Sequence, residues 1–400
     1  MKNSGIEWIG EIPNNWEVNL VKNIFDITRG RVIAKTEIEE EFMEGYYPVY
    51  SSQTANSGIL GYIPSYDFAI DSLTWTTDGA KAGTVFLRKG KYSITNVCGI
   101  LTLKTSEYSL NYLYYAVGFS AYNSRRADIN GYKIMSNEMA AISIPVPDKI
   151  EQQKIAEVLD EKCGKIDTLI ENEQKQIEKM KEYKQSVITS AVTKGLDKSA
   201  PLKDSGIDWI GEIPESWSIS SIRYQFDCLD YLRKPISAEF RVNELALYDY
   251  YGASGVIDKI DDYNVDDKVL LIGEDGANLV LRNLPLVYKA QGKFWVNNHA
   301  HILRPKLGND YNYMAYTLEA GDYTLYITGS AQPKFSQEKM FSFRIAVPPI
   351  EEQKQIADYL DEKCGKIDEV ISIKQRKIEK LQEYKKSLIY EYVTGKKEVG

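Results

Sequence analysis

Histidine is almost missing from this chain, with two residues in 400, and cysteine is sparse, with four. Cys98, Cys163, Cys228 and Cys364 show no CxxC spacing. The N-terminus is polar and contains no apolar signal core, so the four read as reduced thiols in a cytoplasmic protein. His299 and His301 alternate in an expected strand, but a metal pair needs further ligands and none is evident, so structural or hydrogen-bonding roles are favoured. There is no P-loop GxxxxGK(S/T), no GxSxG and no Cys–His nucleophile arrangement, which leaves nothing for an enzyme acting alone. No apolar run approaches the length of a membrane span. Basic charge is not in excess: 49 Lys and Arg against 57 Asp and Glu give a net charge of −8. That is not the footprint of a freestanding nucleic-acid binder, so a DNA-binding role would need local basic patches or basic partners. The acidic run Glu37, Glu39, Glu40 and Glu41 and the pairs Asp261–Asp262 and Asp266–Asp267 read as solvated loops and turns. Phenylalanine is also scarce, at 11, whereas 29 Tyr supply apolar bodies with polar tips that suit binding surfaces.

What is present is a duplication. LDEKCGKID begins at Leu159 and recurs at Leu360, an offset of 201 residues, inside two long periodic runs, 150–193 and 350–394. Ile166, Ile170, Ile177, Met180, Val187 and Ala191 recur at spacings of three and four or their multiples. Ile367, Ile371, Ile378, Leu381, Leu388 and Tyr392 repeat them. One apolar seam on a Glu, Lys and Gln background predicts a coiled coil, and equivalent seams from the two halves predict an intramolecular antiparallel pair. Glu173, Lys184, Lys374 and Lys385 also fall at seam positions, where polar residues cost stability but fix register.

The same offset links NSGIEWIGEIPNNW at the start to DSGIDWIGEIPESW, placing Trp8 with Trp209 and Trp16 with Trp217. Between anchor and helix lie stretches of short strands broken by Gly, Asn, Asp and Ser, such as SLTWTT, TVFLRKG and KVLLIG, each with one helix near NYLYYAV or NYMAYTL. These domains have diverged, yet Tyr50 matches Tyr251, Asp78 matches Asp275, and Ile100–Leu101 match Ile302–Leu303. The expected fold class is α+β, as two duplicated halves. The expected order is an anchoring segment 1–16, a variable domain 17–146, a helical region 147–195, a linker with the second anchor 196–217, a second variable domain 218–347 and a closing helical region 348–400. An antiparallel pair would set the variable domains at opposite ends of a helical rod.

GIEWIGEIP, a variable domain, then IPVPDKIEQQKIAEVLDEKCGKID, followed by the same order ending in AVPPIEEQKQIADYLDEKCGKID, resembles the specificity subunit of Type I restriction-modification enzymes. GSAQPKFSQEKM, 329–340, looks like a further signature of that family, and NGYKIMSNEM is a weaker match in the first half. The resemblance covers essentially the whole chain. It implies two target-recognition domains that each read one half of a split, asymmetric sequence in double-stranded DNA. It also implies helices that set the spacer and bind two modification (methyltransferase) subunits, with restriction (translocase and nuclease) subunits joining that core. The chain itself would have no catalytic site and bind no cofactor; S-adenosylmethionine, ATP and Mg would belong to the partners. The geometry agrees: residues 165–193 as a helix would span roughly 43 Å at ~1.5 Å per residue, against about 34–36 Å for one duplex turn.

Base readout needs side chains that donate and accept at fixed geometry. In the first domain the candidates are Ser52, Gln53, Thr54 and Asn56 in the loop SSQTANSG, Thr77 and Lys81 beside the DGA turn, and the cluster Arg125, Arg126, Tyr132 and Lys133. In the second they are Tyr251, Ser254, Asn278, Arg282, Asn297, Asn298, Gln332 and Lys334. The plain alternative for each is an ordinary polar loop side chain. The alternative for the whole chain is an assembly or regulatory protein that binds modification subunits without reading DNA.

Overall fold

The computed structural model describes residues 1–129, 131–241, 247–329 and 332–399. Ser330 and Ala331 of the GSAQPKFSQEKM stretch, and Asn130 of NGYKIMSNEM, lie outside the described residues. The chain forms two units, one of residues Met1–Glu173 with Arg376–Gly400 and one of Gln174–Gln375. The halves are mixed α/β domains, each followed by a long helix, Lys149–Lys194 and Ile350–Val393.

In the first unit an antiparallel sheet runs in the order Val85–Arg88, Ser72–Thr76, Cys98–Leu103, Phe25–Arg29. All five residues of Ser72–Thr76 are buried, because both faces of the strand are covered. One face, with Leu73, Trp75 and Leu101, packs on the helix Leu110–Ser124. The other, with Cys98 and Ile100, packs on Tyr92 and Ile94 of a second sheet ordered Ile59–Ile63, Tyr47–Tyr50, Lys91–Ile94, Phe68–Ala69. In the second unit one six-stranded sheet takes both roles, in the order Phe226–Cys228, Ala300–Pro305, Val265–Gly273, Val287–Val296, Tyr248–Gly252, Gly255–Ile260. The sequence suggests two strands, PLVYKA and KFWVN, where the structure has the single strand Val287–Val296. Gly292 takes φ +81° opposite Asp267 and carries the ladder through the expected break.

The long helices pair antiparallel within each unit. In the first, Lys162, Asp167 and Glu173 meet Tyr392, Lys385 and Lys377 in reverse order. In the second, Gln176 and Lys184 meet Lys374 and Asp368. The polar seam residues thus have specific partners, and Lys385–Asp167 at 2.6 Å and Lys184–Asp368 at 2.7 Å are repeat-equivalent. Ile166, Ile177, Ile367, Ile378 and Leu388 are buried; Ile170, Met180, Val187, Ile371 and Leu381 are half-buried. Ile155, Leu159, Cys163 and Ile188 join the buried seam, extending it beyond the positions the spacing marks.

Each helix is clasped to the α/β domain before it by a buried glutamine. Gln152 Nε2 donates to Pro147 O (2.9 Å) and its Oε1 accepts from Ser109 N (2.8 Å). Gln353 repeats this with Pro348 O (3.0 Å) and Asp310 N (2.8 Å). The anchoring segments close the other side: Trp16 Nε1 donates to Glu151 at 3.0 Å, and Trp217 Nε1 to Glu352 at 2.9 Å. Gly395 packs on Pro13 and Trp16, as Gly195 packs on Trp217 and Pro214, so each anchor covers the end of a long helix.

Candidate nucleic-acid interface

Four loops of the first unit are joined edge to edge by hydrogen bonds. Thr95 N donates to Tyr50 O (2.9 Å) and Thr95 Oγ1 to Ser51 Oγ (3.3 Å). Thr77 Oγ1 donates to Val97 O (2.9 Å), and Ile134 N donates to Thr77 O (2.8 Å). Residues 51–58, 95–97, 77–81 and 131–134 therefore border one another, which brings the candidates of this unit to one edge of the domain. The strand Gly131–Lys133 pairs with both Arg126–Asp128 and Asp78–Gly79, so the DGA turn and the basic cluster share a small sheet.

On this edge Ser52 and Thr54 are half-buried, and Gln53, Asn56 and Lys81 are exposed. Gln53 Nε2 donates to Ile59 O across the loop. Arg125 is stacked between Tyr122 at 3.8 Å and Tyr132 at 4.0 Å. Its Nη1 donates to Ala82 O at 3.5 Å, and a guanidinium so stacked is held in one orientation, with the rest of its edge left for a phosphate or a base. Arg126 and Lys133 are partly neutralised: Arg126 pairs with Glu138 at 2.7 Å and Lys133 with Asp128 at 3.7 Å. The Met135 backbone N–H, together with Arg126, holds the Glu138 carboxyl below its ordinary pKa. Thr77 is a correction to the sequence reading. It is buried, and its hydroxyl is committed to the Val97 carbonyl rather than offered to a base.

The second unit makes a comparable edge. Asn297 N donates to Tyr251 O (3.1 Å), Glu274 N to His299 O (2.8 Å), Phe335 N to Glu274 O (2.7 Å) and Gly276 N to Pro333 O (3.0 Å). These bonds bring the loops around 251–255, 274–276, 297–300 and 332–335 together. Ser254 is exposed at the tip of the turn between its strands, Asn298, Gln332 and Lys334 are exposed, and Tyr251 is half-buried with its ring edge-on to Phe294. Three candidates are corrected. Asn278 ties its own loop, donating to Leu284 O and Pro285 O and accepting from Leu284 N. Arg282 caps the helix Tyr311–Ala320 by donating to Glu319 O and Gly321 O at 3.0 and 2.7 Å. Asn297 is buried, and its side chain accepts from His299 N.

Behind each edge lies a buried polar group, of which the sequence reading marked only His301, as a structural or hydrogen-bonding residue. In the first unit it is Arg88, 4% exposed. Its Nε donates to Thr74 Oγ1 (3.0 Å) and its Nη1 to Ser57 O (2.8 Å), and it lies 3.5 Å over the Tyr50 ring. Burial pulls its pKa below the ordinary value. Nothing in TVFLRKG distinguishes this arginine from a solvated one before a turn. In the second unit it is a charge network. His301 Nδ1 meets Asp230 at 2.6 Å and its Nε2 faces Phe335 O at 2.8 Å, while Arg233 joins Asp230 to Glu274. Burial pushes the Asp230 carboxyl up, but His301, the Ile302 N–H and Arg233 outweigh it and hold the pKa below its ordinary value. His299 sits on the turn before the strand, paired with Asp275 at 2.7 Å, so the two histidines serve different carboxylates.

Burial pushes the Cys98 thiol up to about 12 and the Cys163 and Cys228 thiols up to about 11, and raises Cys364, which suppresses thiolate chemistry.

Comparison with known proteins gives a consistent answer. The family described as "Type I restriction modification DNA specificity domain" matches residues 13–179 and 233–383. A Mycoplasma pneumoniae protein named as a type I specificity subunit N-terminus is 42% identical over 140 residues, 35% of this chain and 74% of that one. Three further relatives from that organism are matched over 38%, 47% and 59% of their own lengths. The type I restriction enzyme MjaVIII specificity subunit of Methanocaldococcus jannaschii is 26% identical, with 96% of this chain and 93% of that one covered. A solved chain from work on complex assembly in the type I R-M system shares the fold, with TM-score 0.64 at 12% identity over 96% of this chain and 99% of that one. The chain belongs to the family of Type I restriction modification DNA specificity domains.

Proposed function

We infer that this chain is the DNA sequence-specificity subunit of a Type I restriction-modification complex, each recognition domain reading one half of a bipartite asymmetric site. The observation that carries this is one frame used twice with unlike edges. The glutamine clasps, tryptophan anchors and Lys–Asp pairs recur at equivalent positions, while the equivalent loops 51–58 and 252–255 differ in length, eight residues against four, and share only their closing Ser-Gly. Phosphate contacts would position the duplex and loop side chains would read base edges. Methylation of an extruded adenine, with S-adenosylmethionine, and ATP- and Mg-dependent translocation and cleavage fall to partner subunits. A cytoplasmic setting fits the four free thiols, and no helix among the described residues is long and apolar enough to cross a membrane.

Two modification subunits would dock on the helical pair. Leu169 and Tyr384 of the first unit are exposed, and so are their repeat-equivalents Val370 and Tyr183 in the second. Equivalent apolar sites, one per unit, suit two copies of one partner. The helices also act as the ruler between half-sites. Mapping methylated adenines in a host that expresses this chain with its modification partner should return a two-part motif. Four extra residues in each helix should lengthen its gap by roughly 6 Å, or about two base pairs. An unchanged gap defeats the ruler, and methylation without any defined motif defeats the reading function.

A further inference from the structure

We propose that Arg88 is a positioning residue that holds the 51–58 loop in its reading conformation, and thereby helps decide which bases the first unit accepts; this rests on the DNA-reading function above. The second unit supplies an internal control. Ile100–Leu101 correspond to Ile302–Leu303, and the strand registers carry that match outward. Leu73, opposite Leu101, corresponds to Leu270, opposite Leu303. Ser72 and Thr74 then correspond to Val269 and Leu271, and Arg88, opposite Ser72, corresponds to Ala290, opposite Val269. The fold is therefore complete with three apolar residues where the first unit buries a hydroxyl pair and a guanidinium.

A buried cation without a carboxylate is costly. The titratable neighbours of Arg88 are Tyr50, Cys98 and Tyr92, and its Nη2 is sealed from solvent with no hydrogen-bond partner among the described residues. What differs above the residue is the loop. In the second unit two residues, Ala253 and Ser254, join the strands Tyr248–Gly252 and Gly255–Ile260. In the first, residues 51–58 join Tyr47–Tyr50 to Ile59–Ile63, and Asn56, Ser57 and Gly58 are left-handed in succession, at φ +47°, +51° and +84°. Serine resists that conformation, and such backbone persists only where its surroundings over-determine it. Arg88 supplies the determination. Its Nη1 bonds the Ser57 carbonyl, its Nε bonds Thr74 in the sheet, and its plane is fixed between Tyr50 at 3.5 Å and Phe86 at 4.3 Å. A Cβ at Gly58 would stand 2.9 Å from Nη2, so loop and guanidinium fit only with glycine there. Lysine has no fork that bonds loop and sheet together.

The test is adenine-methylation mapping with the complete complex of this chain and its modification partner. Arg88→Met should relax discrimination in one half of the motif by about tenfold or more and leave the other half intact, and Arg88→Lys should relax the same half. Both halves unchanged, or both relaxed alike as general destabilisation would do, overturns the role of Arg88. Should Arg88→Met not fold, a chain with residues 51–58 replaced by Gly-Ala-Ser-Gly, the second unit's 252–255 between the equivalent pairs Tyr50–Ile59 and Tyr251–Val256, decides. There Arg88→Met leaves Tm level or raises it if the arginine serves the loop, and a fall of several degrees overturns the role. A parent complex with no two-part motif defeats the reading function itself, whereas an intact motif untouched by Arg88→Met defeats only this inference.

Discussion

The two units cover the same strands with opposite chemistry. Behind the first reading edge the inner layer holds Ser72, Thr74, Arg88 and Tyr92, with Ser72 Oγ and Tyr92 OH 2.5 Å apart. The second fills the corresponding layer with Val269, Leu271, Ala290 and Phe294 and gathers its charges at the end of the sheet, where Asp230, Arg233 and Glu274 surround His301 of the strand Ala300–Pro305. The frame thus constrains which positions are buried but not what they are made of. A buried polar group is tolerated wherever its hydrogen bonds close, and its partners then become obligatory.

The largest effect expected from breaking this comparison lies in the helices. Leu388 is 1% exposed, whereas its equivalent Val187 is half-buried beside the buried Ile188. Leu388→Ala should cost about 2–5 kcal/mol, and Val187→Ala about 1 kcal/mol or less, as read by denaturant unfolding. Equal costs would mean the two seams are interchangeable after all. Next is the inner layer. Leu271→Thr places the first unit's Thr74 chemistry in the second unit with no arginine to answer it. A loss of about 1–3 kcal/mol is expected, and no loss would show that the layer does not discriminate.

Acid separates the units further. Asp230 has a lowered folded pKa, so the stability it contributes is present above the ordinary carboxylate value and is lost as pH falls through the folded one. Asp230→Asn should therefore lower Tm at neutral pH and flatten the decline below about pH 4. Glu138, lowered in the same direction but partly exposed in the first unit, should give a shallower version of that profile as Glu138→Gln. Identical profiles would contradict the burial argument. The smallest effect belongs to the paired ions. Lys385→Ala and Lys184→Ala should each cost about 0–1 kcal/mol, less at high salt, and to the same extent in both units.

Much of this architecture is legible in the chain. The 201-residue offset and the three-four spacing mark both helices, the anchors and the antiparallel seam, because period and duplication survive in any single sequence. The helices at Leu110–Ser124 and Tyr311–Ala320 are legible too, near NYLYYAV and NYMAYTL; the structure adds their caps, Ser109 and Asp310, whose side chains accept from Tyr112 N and Tyr313 N. The reading edges are less so. Residue type separates polar from apolar, but it does not tell a hydroxyl turned to solvent from one closed on a neighbouring carbonyl. Thr77, Asn297 and Arg282 all look like readers; the first two fasten neighbouring backbone and the third caps a helix. Arg88 carries no signal at all, since its burial depends on strands and a loop that meet only in the folded domain.

The glutamine clasp has a consequence for how such a chain can change. Gln152 and Gln353 make these hydrogen bonds to main-chain atoms, the carbonyl before their helix and one amide of the neighbouring domain. That amide belongs to serine in one unit and to aspartate in the other, and the bond is the same. A coupling that ignores side chains places no veto on what the coupled module is built from. Turnover at the tips can run freely while the joint stays tight.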